Sequence, residues 1–216
     1  MGVEQEVQEK RGRGGRPPAG REGDVEARLL AAATKLFLER GYDGTSCDQV
    51  AVDARAGKAS IYARYANKQA LFSAVVNNML ARSFEQDDVE VKTPLRERLA
   101  AVGMRMLTDA LHPDAVALLR LVVAELPRFA QGGLPADQLV WQAGVRRVAM
   151  AIALREPGRV DEAIDVAERF IELAIMPALT RAMLGESTEH LLKAGPARIS
   201  ETAAFLAAIG ALDGWK

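Results

Sequence analysis

The chain has 216 residues, of which 49% are hydrophobic and only 5% aromatic, a composition that favours packed helices over a β-sandwich. A single cysteine excludes an intrachain disulfide and a thiolate metal cluster, and the two histidines lie in no metal-ligand spacing, so we expect neither metal nor cofactor. The net charge of −1 by itself indicates nothing about nucleic acid. No apolar run approaches the roughly 18 residues of a membrane span. The charged, glycine-rich N-terminus is unlike a signal peptide, and we expect a cytoplasmic protein.

Residues 1–23, MGVEQEVQEKRGRGGRPPAGREG, contain charge, glycine and proline but little that could be buried, which is typical of a disordered segment. Arginines among glycines suit a basic arm that follows a narrow, A·T-rich minor groove. A charged tail that only keeps the protein in solution is an equal alternative.

The segment after residue 23 has the layout of a helix-turn-helix unit with a supporting fourth helix. Apolar residues recur at helical spacing from Asp24 onwards. Ser46 is a natural N-cap for a short helix over 47–54. A second short helix is expected at about 58–65, with a long helix after it. In this arrangement the second short helix lies in the DNA major groove.

The stretch 54–68 carries four cations and no acid. The side chains on it that can bond phosphate oxygens or base edges are Ser60, Tyr62, Tyr65, Lys58 and Arg64. Lys68 adds charge to the N-terminus of the following helix, whose free amides and dipole attract a phosphate. The alternative is a solvated helical surface with half-buried tyrosines.

The motifs LLAAATKLFLERGYDGTSCDQVA and KASIYARYANKQALF, in this order, resemble the DNA-binding domain of the TetR family of bacterial transcriptional regulators. The resemblance covers about residues 24–76. It implies an N-terminal helix-turn-helix domain and a larger helical domain that dimerises. The second domain usually binds a small effector, which releases the DNA.

Carried over residue by residue, the resemblance implies that Thr45 and Ser46 contact phosphate. The family often has an inward-facing phenylalanine where Tyr65 stands. The turn reads ARAGKAS, so Arg55 occupies the position of the usual turn glycine. Arg55 either adopts a left-handed conformation or the turn is rebuilt around Gly57. The expected DNA-binding residues are Thr45, Ser46, Arg55, Lys58, Ala59, Ser60, Tyr62, Arg64, Tyr65 and Lys68.

Three parts of the chain are therefore expected: the arm at 1–23, a DNA-binding domain at 24–70, and a helical effector-binding and dimerisation domain at 71–216. The composition also shifts at 86–94. Apolar-periodic stretches follow at about 94–111, 114–127, 135–154, 160–184 and 196–210. The predicted fold class is all-α.

A seam of residues spaced 3, 4, 3, 4 in the second module resembles a coiled coil. The family's final helices usually form a four-helix bundle across a twofold axis, which implies that this seam lies in the dimer interface. Ordinary intramolecular core is the alternative. The expected interface residues are Ile164, Ala167, Ile171, Ala174, Ala178, Ile199, Ala203 and Leu206.

An effector pocket, if the family pattern holds, lies among the middle helices. Few charged residues occupy inward positions there, which favours an apolar or aromatic effector. A stripe of large apolar residues is also what a plain core requires. The candidate lining residues are Met104, Leu107, Leu111, Leu119, Val122, Phe129, Trp141 and Met150.

The sequence therefore predicts a homodimeric, sequence-specific DNA-binding regulator, a repressor, that reads a pseudo-palindrome and responds to a small molecule. Two alternatives remain open: a helical adaptor that has lost DNA binding, and an all-α enzyme. No nucleophile with a neighbouring base, metal-spaced cluster or phosphate-binding glycine loop is visible, so we expect no enzymatic activity.

Overall fold

The computed structural model describes residues 19–82, 92–129 and 136–215. Within these ranges the chain is helical and contains no strand, which confirms the all-α prediction. A 3₁₀ helix, Pro157–Ala163, lies between the seventh and eighth α-helices. The α-helices are α1 (Ala19–Arg40), α2 (Cys47–Asp53), α3 (Lys58–Tyr62), α4 (Lys68–Arg82), α5 (Leu95–Ala110), α6 (Pro113–Phe129), α7 (Ala136–Ile152), α8 (Ile164–Ala174), α9 (Met176–Met183) and α10 (Thr188–Ala208).

Helix α1 begins five residues before its expected start at Asp24. The prediction of a disordered arm is therefore wrong for residues 19–23. Once a helix has formed, each added residue gains one backbone hydrogen bond, so extension is much easier than nucleation. Residues 1–18, which contain the arginine- and glycine-rich motif, lie outside the described residues, and both interpretations of that motif stay predictions.

The first core cluster is built from α1 to α4 and closed by α6. Rings of Phe37, Tyr42 and Phe72 meet at its centre, with centroids 5.0 to 5.9 Å apart. Leu118 and Val122 of α6 are buried in the same cluster. The apolar residues of α4 from 71 to 76 also belong to it, on the far side of the predicted domain boundary at 70. That boundary stays a prediction, and α6 packs directly on the N-terminal unit.

The second core cluster is formed chiefly by α5, α7, α8 and α10. Two glycines let α5 and α10 approach closely. A Cβ added at Gly195 would lie 2.5 Å from Cδ2 of Leu107, and one added at Gly103 would lie 3.1 Å from Cγ2 of Ile199. The position of α10 therefore depends on the absence of side chains at these two points.

The predicted dimer seam lies inside this second cluster, so the interface assignment is wrong for its seven buried members and stays a prediction for Ile164. A side chain already buried within one subunit has no surface left for a second copy. The intramolecular alternative holds, and Ile164 is half-buried against the same core. The buried members are Ala167, Ile171, Ala174, Ala178, Ile199, Ala203 and Leu206.

None of the described helices has the combined length and apolar character of a membrane span.

Candidate nucleic-acid interface

Helix α2 is fixed at its start by a capping box. The Ser46 hydroxyl oxygen accepts a hydrogen bond from the backbone N–H of Gln49 (3.2 Å), and the Gln49 side-chain oxygen accepts one from the Ser46 backbone (3.0 Å). Ser46 remains exposed at the N-terminus of α2. Its position suits the phosphate contact that the resemblance implies.

Thr45, the other implied phosphate contact, points inward. Its side chain is only 2% exposed, and its hydroxyl group lies 3.0 Å from the carbonyl oxygen of Leu36 and 2.9 Å from that of Gly41. The single hydroxyl proton is shared between these two carbonyls, which ties α2 to the end of α1. The prediction that Thr45 contacts DNA is therefore wrong.

Arg55 resolves the question of the turn. Its φ is 51°, and it is the one non-glycine residue with positive φ in the described ranges. Gly57 has an extended conformation (φ −72°, ψ 148°) and serves as the N-cap of α3. The turn thus keeps its left-handed residue at position 55, at a cost of about 1 kcal/mol for a side chain there. The Arg55 side chain is exposed.

Helix α3 presents its polar face outward because its apolar face is anchored. Ile61 is fully buried in the first core cluster with Phe37 and Val50. Lys58 and Ala59 are exposed, as is Tyr62. Arg64 and Ser60 are half-buried, and the Arg64 guanidinium donates a hydrogen bond to the Ser60 carbonyl oxygen (3.0 Å).

Tyr65 lies on the inner side instead. It is 6% exposed, and its hydroxyl faces the Glu26 carboxylate of α1 at 3.5 Å. Burial, with the nearby Glu26 charge, raises the pKa of Tyr65. The assignment of Tyr65 to DNA binding is therefore wrong, because its ring is part of the core and its hydroxyl has a partner there.

Lys68 begins α4 and is oriented by Tyr42. Its ammonium group donates a hydrogen bond to the Tyr42 carbonyl oxygen (2.9 Å) and lies 4.3 Å from the centre of the Tyr42 ring. Asn67, which precedes it, accepts a hydrogen bond from the backbone of Ala70 (2.8 Å) and so caps the helix. Lys68 is thus held at the helix N-terminus where the resemblance implies a phosphate.

An acid that the sequence analysis missed lies on this surface. The Asp48 carboxylate is 2.6 Å from the Lys58 ammonium group and accepts a hydrogen bond from the Tyr62 hydroxyl at 3.3 Å. The hydrogen bond from Lys58 lowers the pKa of Asp48, and Asp48 in turn raises the pKa of Lys58. We call these three side chains the Asp48 cluster. A count of acids within 54–68 could not reveal it, because Asp48 comes from α2, ten residues before Lys58.

Comparisons with known proteins agree with this geometry. A sequence model of the family described as bacterial regulatory proteins, tetR family, matches residues 29–75, which contain α2, α3 and most of α1 and α4. The HTH-type transcriptional repressor SCO4008 of Streptomyces coelicolor is 28% identical over 170 residues, covering 74% of this chain and 84% of that protein. Over residues 29–75 the chain is therefore similar to the TetR family of bacterial regulatory proteins.

Further similarities extend beyond this region. The DNA-binding transcriptional repressor TetR of Mycobacteroides abscessus is 34% identical over 95 residues, which are 42% of this chain and half of that protein. The structure of the Flavonoid-responsive Regulator FrrA has a TM-score of 0.61 at 25% identity and covers 88% of this chain and 97% of its own. A regulator from Mesorhizobium loti, at 20% identity and a TM-score of 0.62, covers 87% of this chain and 98% of its own, and it shows the same fold.

The described candidate effector residues are divided between the two core clusters and the surface. Leu107 and Leu111 are buried in the second core cluster, and Met104 packs against it. Val122 belongs to the first cluster and Met150 is 49% exposed, so these two lie apart from the others, and their role in a pocket stays a prediction.

The remaining candidates are Leu119, Phe129 and Trp141. Leu119 is half-buried. Trp141 packs against the second cluster and donates from its ring nitrogen to Glu168 (3.4 Å). The Phe129 side chain lies outside the described residues. A pocket involving these side chains stays a prediction.

Cys47 is buried at the first turn of α2. Burial, with a smaller contribution from the Asp48 charge, raises the pKa of its thiol. A raised pKa disfavours the reactive thiolate, so Cys47 acts as a small core residue of the DNA-binding unit.

Proposed function

We propose that this TetR-family regulator is a homodimeric repressor that binds a pseudo-palindromic operator and leaves it when a small, mostly apolar effector binds. The observation that carries the proposal is the outward face of α3. Lys58 and Tyr62 are exposed on it, while Ile61 anchors its opposite face in the core. A short helix held in this way can enter a major groove without changing the core beneath it.

The proposed DNA contacts are divided by chemistry. Ser46 and Lys68, each at a helix N-terminus, suit phosphate oxygens. Residues of α3 and its flanks suit base edges and the adjacent backbone. After removal of Thr45 and Tyr65, the proposed set is Ser46, Arg55, Lys58, Ala59, Ser60, Tyr62, Arg64 and Lys68.

A different face of the final helices is proposed for dimerisation. Four large apolar residues at the end of the chain stay exposed in one subunit, and we call them the outer apolar face. They are Leu173 of α8, Met176 of α9, Phe205 of α10 and Ile209, the C-cap of α10. Exposed alanines accompany them along α10, which would let a partner helix approach closely. These alanines are Ala194, Ala197, Ala204 and Ala208. A twofold axis through this face would present two copies of α3 to successive half-sites, about one helical turn or more apart.

Repression and effector release are supported by the relatives. SCO4008 and the Mycobacteroides abscessus protein are both named as repressors. FrrA is named as flavonoid-responsive. An aromatic effector would also suit this chain, because its second core cluster is apolar.

Selection of genomic fragments by the purified dimer tests the proposal. We expect recovery of a single palindromic motif, with log affinity falling steeply against log salt concentration. The matched control is Lys58→Ala, which removes one exposed α3 cation without touching the core. No enriched motif with a folded, effector-free dimer would contradict the proposal.

A further inference from the structure

The Asp48 cluster places a negative charge on a surface that approaches a polyanion. The Asp48 carboxylate bonds both Lys58 and Tyr62, and all three side chains are substantially exposed. Arg40 and Asp53 line the same shallow groove between α1, α2 and α3. The carboxylate therefore faces the two α3 side chains best placed to touch DNA.

Fold stability does not explain the pair. An exposed lysine–carboxylate pair contributes about 0–1 kcal/mol to stability, because water and salt screen it. Asp48 is also not needed for the cap of α2, since Ser46 and Gln49 supply both hydrogen bonds of the capping box. What the carboxylate does change is the charge that α3 offers to DNA, because it offsets the charge of Lys58 and accepts a hydrogen bond from the Tyr62 hydroxyl.

We propose that Asp48 is a specificity-determining residue, which withholds Lys58 and Tyr62 from non-specific DNA and releases them when its carboxylate accepts a hydrogen bond from an exocyclic amino group of an operator base. This inference rests on the proposed function. An ionised carboxylate can only accept hydrogen bonds. In the major groove the donors are the amino groups of cytosine N4 and adenine N6.

The consequence is a penalty for the wrong sequence. On DNA without an amino group at this position, Asp48 has two options. It keeps Lys58, which then cannot bind DNA, or it gives up Lys58 and Tyr62 and stays without a hydrogen-bond donor beside negatively charged phosphates. On the operator, the base amino group replaces Lys58 as the partner of Asp48. Lys58 is then free to bond a phosphate or a guanine edge.

Two substitutions with the same change in charge separate this role from net charge. Asp48→Asn breaks the cluster. Asp53→Asn removes the acid at the other end of α2, which pairs with Lys35 at 3.5 Å and lines the same groove. Full-length wild-type and variant proteins are titrated with the duplex selected by the wild type and with a shuffled duplex of equal composition, over a series of salt concentrations.

For Asp48→Asn we expect affinity for the shuffled duplex to rise about three- to tenfold, with the slope of log affinity against log salt steeper by about two, one for each subunit of the dimer. Affinity for the selected duplex should change less, so that discrimination falls. A repeated selection should lose preference at one base pair of each half-site, because an asparagine amide donates as well as accepts. Asp53→Asn should keep the wild-type discrimination within about twofold.

Unchanged discrimination in Asp48→Asn, or an equal loss in Asp53→Asn, would overturn the inference while leaving DNA binding intact. A wild-type protein that does not distinguish the two duplexes would contradict the proposed function itself, and this inference with it. Melting temperatures of both variants should stay within a few degrees of the wild type, because neither side chain is buried.

Discussion

At the scale of single residues, the turn at Arg55 shows how a local rule can be broken without loss of the motif. The position requires a left-handed backbone, and the chain accepts it at a non-glycine residue. The backbone around it is well bonded: Arg55 donates to the Val52 carbonyl at 3.0 Å, and Ala56 donates to that of Ala51 at 2.8 Å. With arginine in place of the usual turn glycine, the chain has an exposed cation next to α3.

Arg55→Gly should therefore raise the free energy of unfolding by about 1 kcal/mol at most, because glycine adopts positive φ without strain. Urea denaturation measures the change. Gly57→Ala is the matched control: its φ is negative and a Cβ there would lie no closer than 3.9 Å to Ser60, so we expect a change of at most about 0.5 kcal/mol. A less stable Arg55→Gly protein would show that the side chain supports the fold.

Residue types alone could not show that the Thr45 and Tyr65 side chains point into the core. The resemblance associates Thr45 with phosphate, whereas the family often has an inward-facing phenylalanine at the position of Tyr65. Both hydroxyls are used within the core. Exposure is decided by the path of the backbone around them, which short-range patterns do not specify. The direction of Ile61, by contrast, follows from its apolar side chain, which is fully buried.

At the scale of helices, apolar periodicity predicted where helices occur better than it predicted which surfaces they pack against. The expected short helix at 58–65 is real, although α3 itself ends at Tyr62. The expected long helix at 160–184 is divided into a 3₁₀ helix, α8 and α9, and Pro177 lies in the first turn of α9, where its missing N–H costs nothing. A seam spaced 3, 4, 3, 4 looks the same whether a helix of its own chain or of a second copy covers it, so the interface could not be predicted from spacing.

The contact between α5 and α10 gives a prediction at this scale. Gly195→Ala should lower the free energy of unfolding by about 1–3 kcal/mol, because the new Cβ would overlap the fully buried Leu107. Gly158→Ala, where a Cβ meets nothing within 4 Å, should change stability by at most about 0.5 kcal/mol. Denaturant midpoints of the two variants compare them directly, and equal midpoints would mean that α10 can move away from α5.

At the scale of the whole molecule, two core clusters are joined by α6. Its residues Leu118 and Val122 are buried among α1 to α4, although α6 belongs by sequence to the second module. The sequence therefore predicted two modules but not the shared helix, because apolar spacing does not say which cluster a residue enters. The outer apolar face, the proposed dimer interface, is the second feature that concerns the whole molecule.

Phe205→Glu should convert the dimer to a monomer without unfolding it. Phe205 is 52% exposed in one subunit, so a charge there is tolerated by the monomer but would be buried in the proposed interface. Sedimentation velocity gives the mass of the particle, and circular dichroism its helix content. Leu184→Glu, at an exposed site outside the outer apolar face, should remain dimeric. A Phe205→Glu protein that stays dimeric would place the interface elsewhere.

The central claim is that the outward face of α3 reads DNA in a dimer. The most direct measurement is an anisotropy titration of the selected palindrome with wild type and with Lys58→Ala, at several salt concentrations. The account predicts two subunits per palindrome, a steep salt dependence for the wild type, and for Lys58→Ala weaker binding with a slope shallower by about two, one for each subunit. Equal affinities and slopes for the two proteins, or equal wild-type affinity for a shuffled duplex, would contradict it.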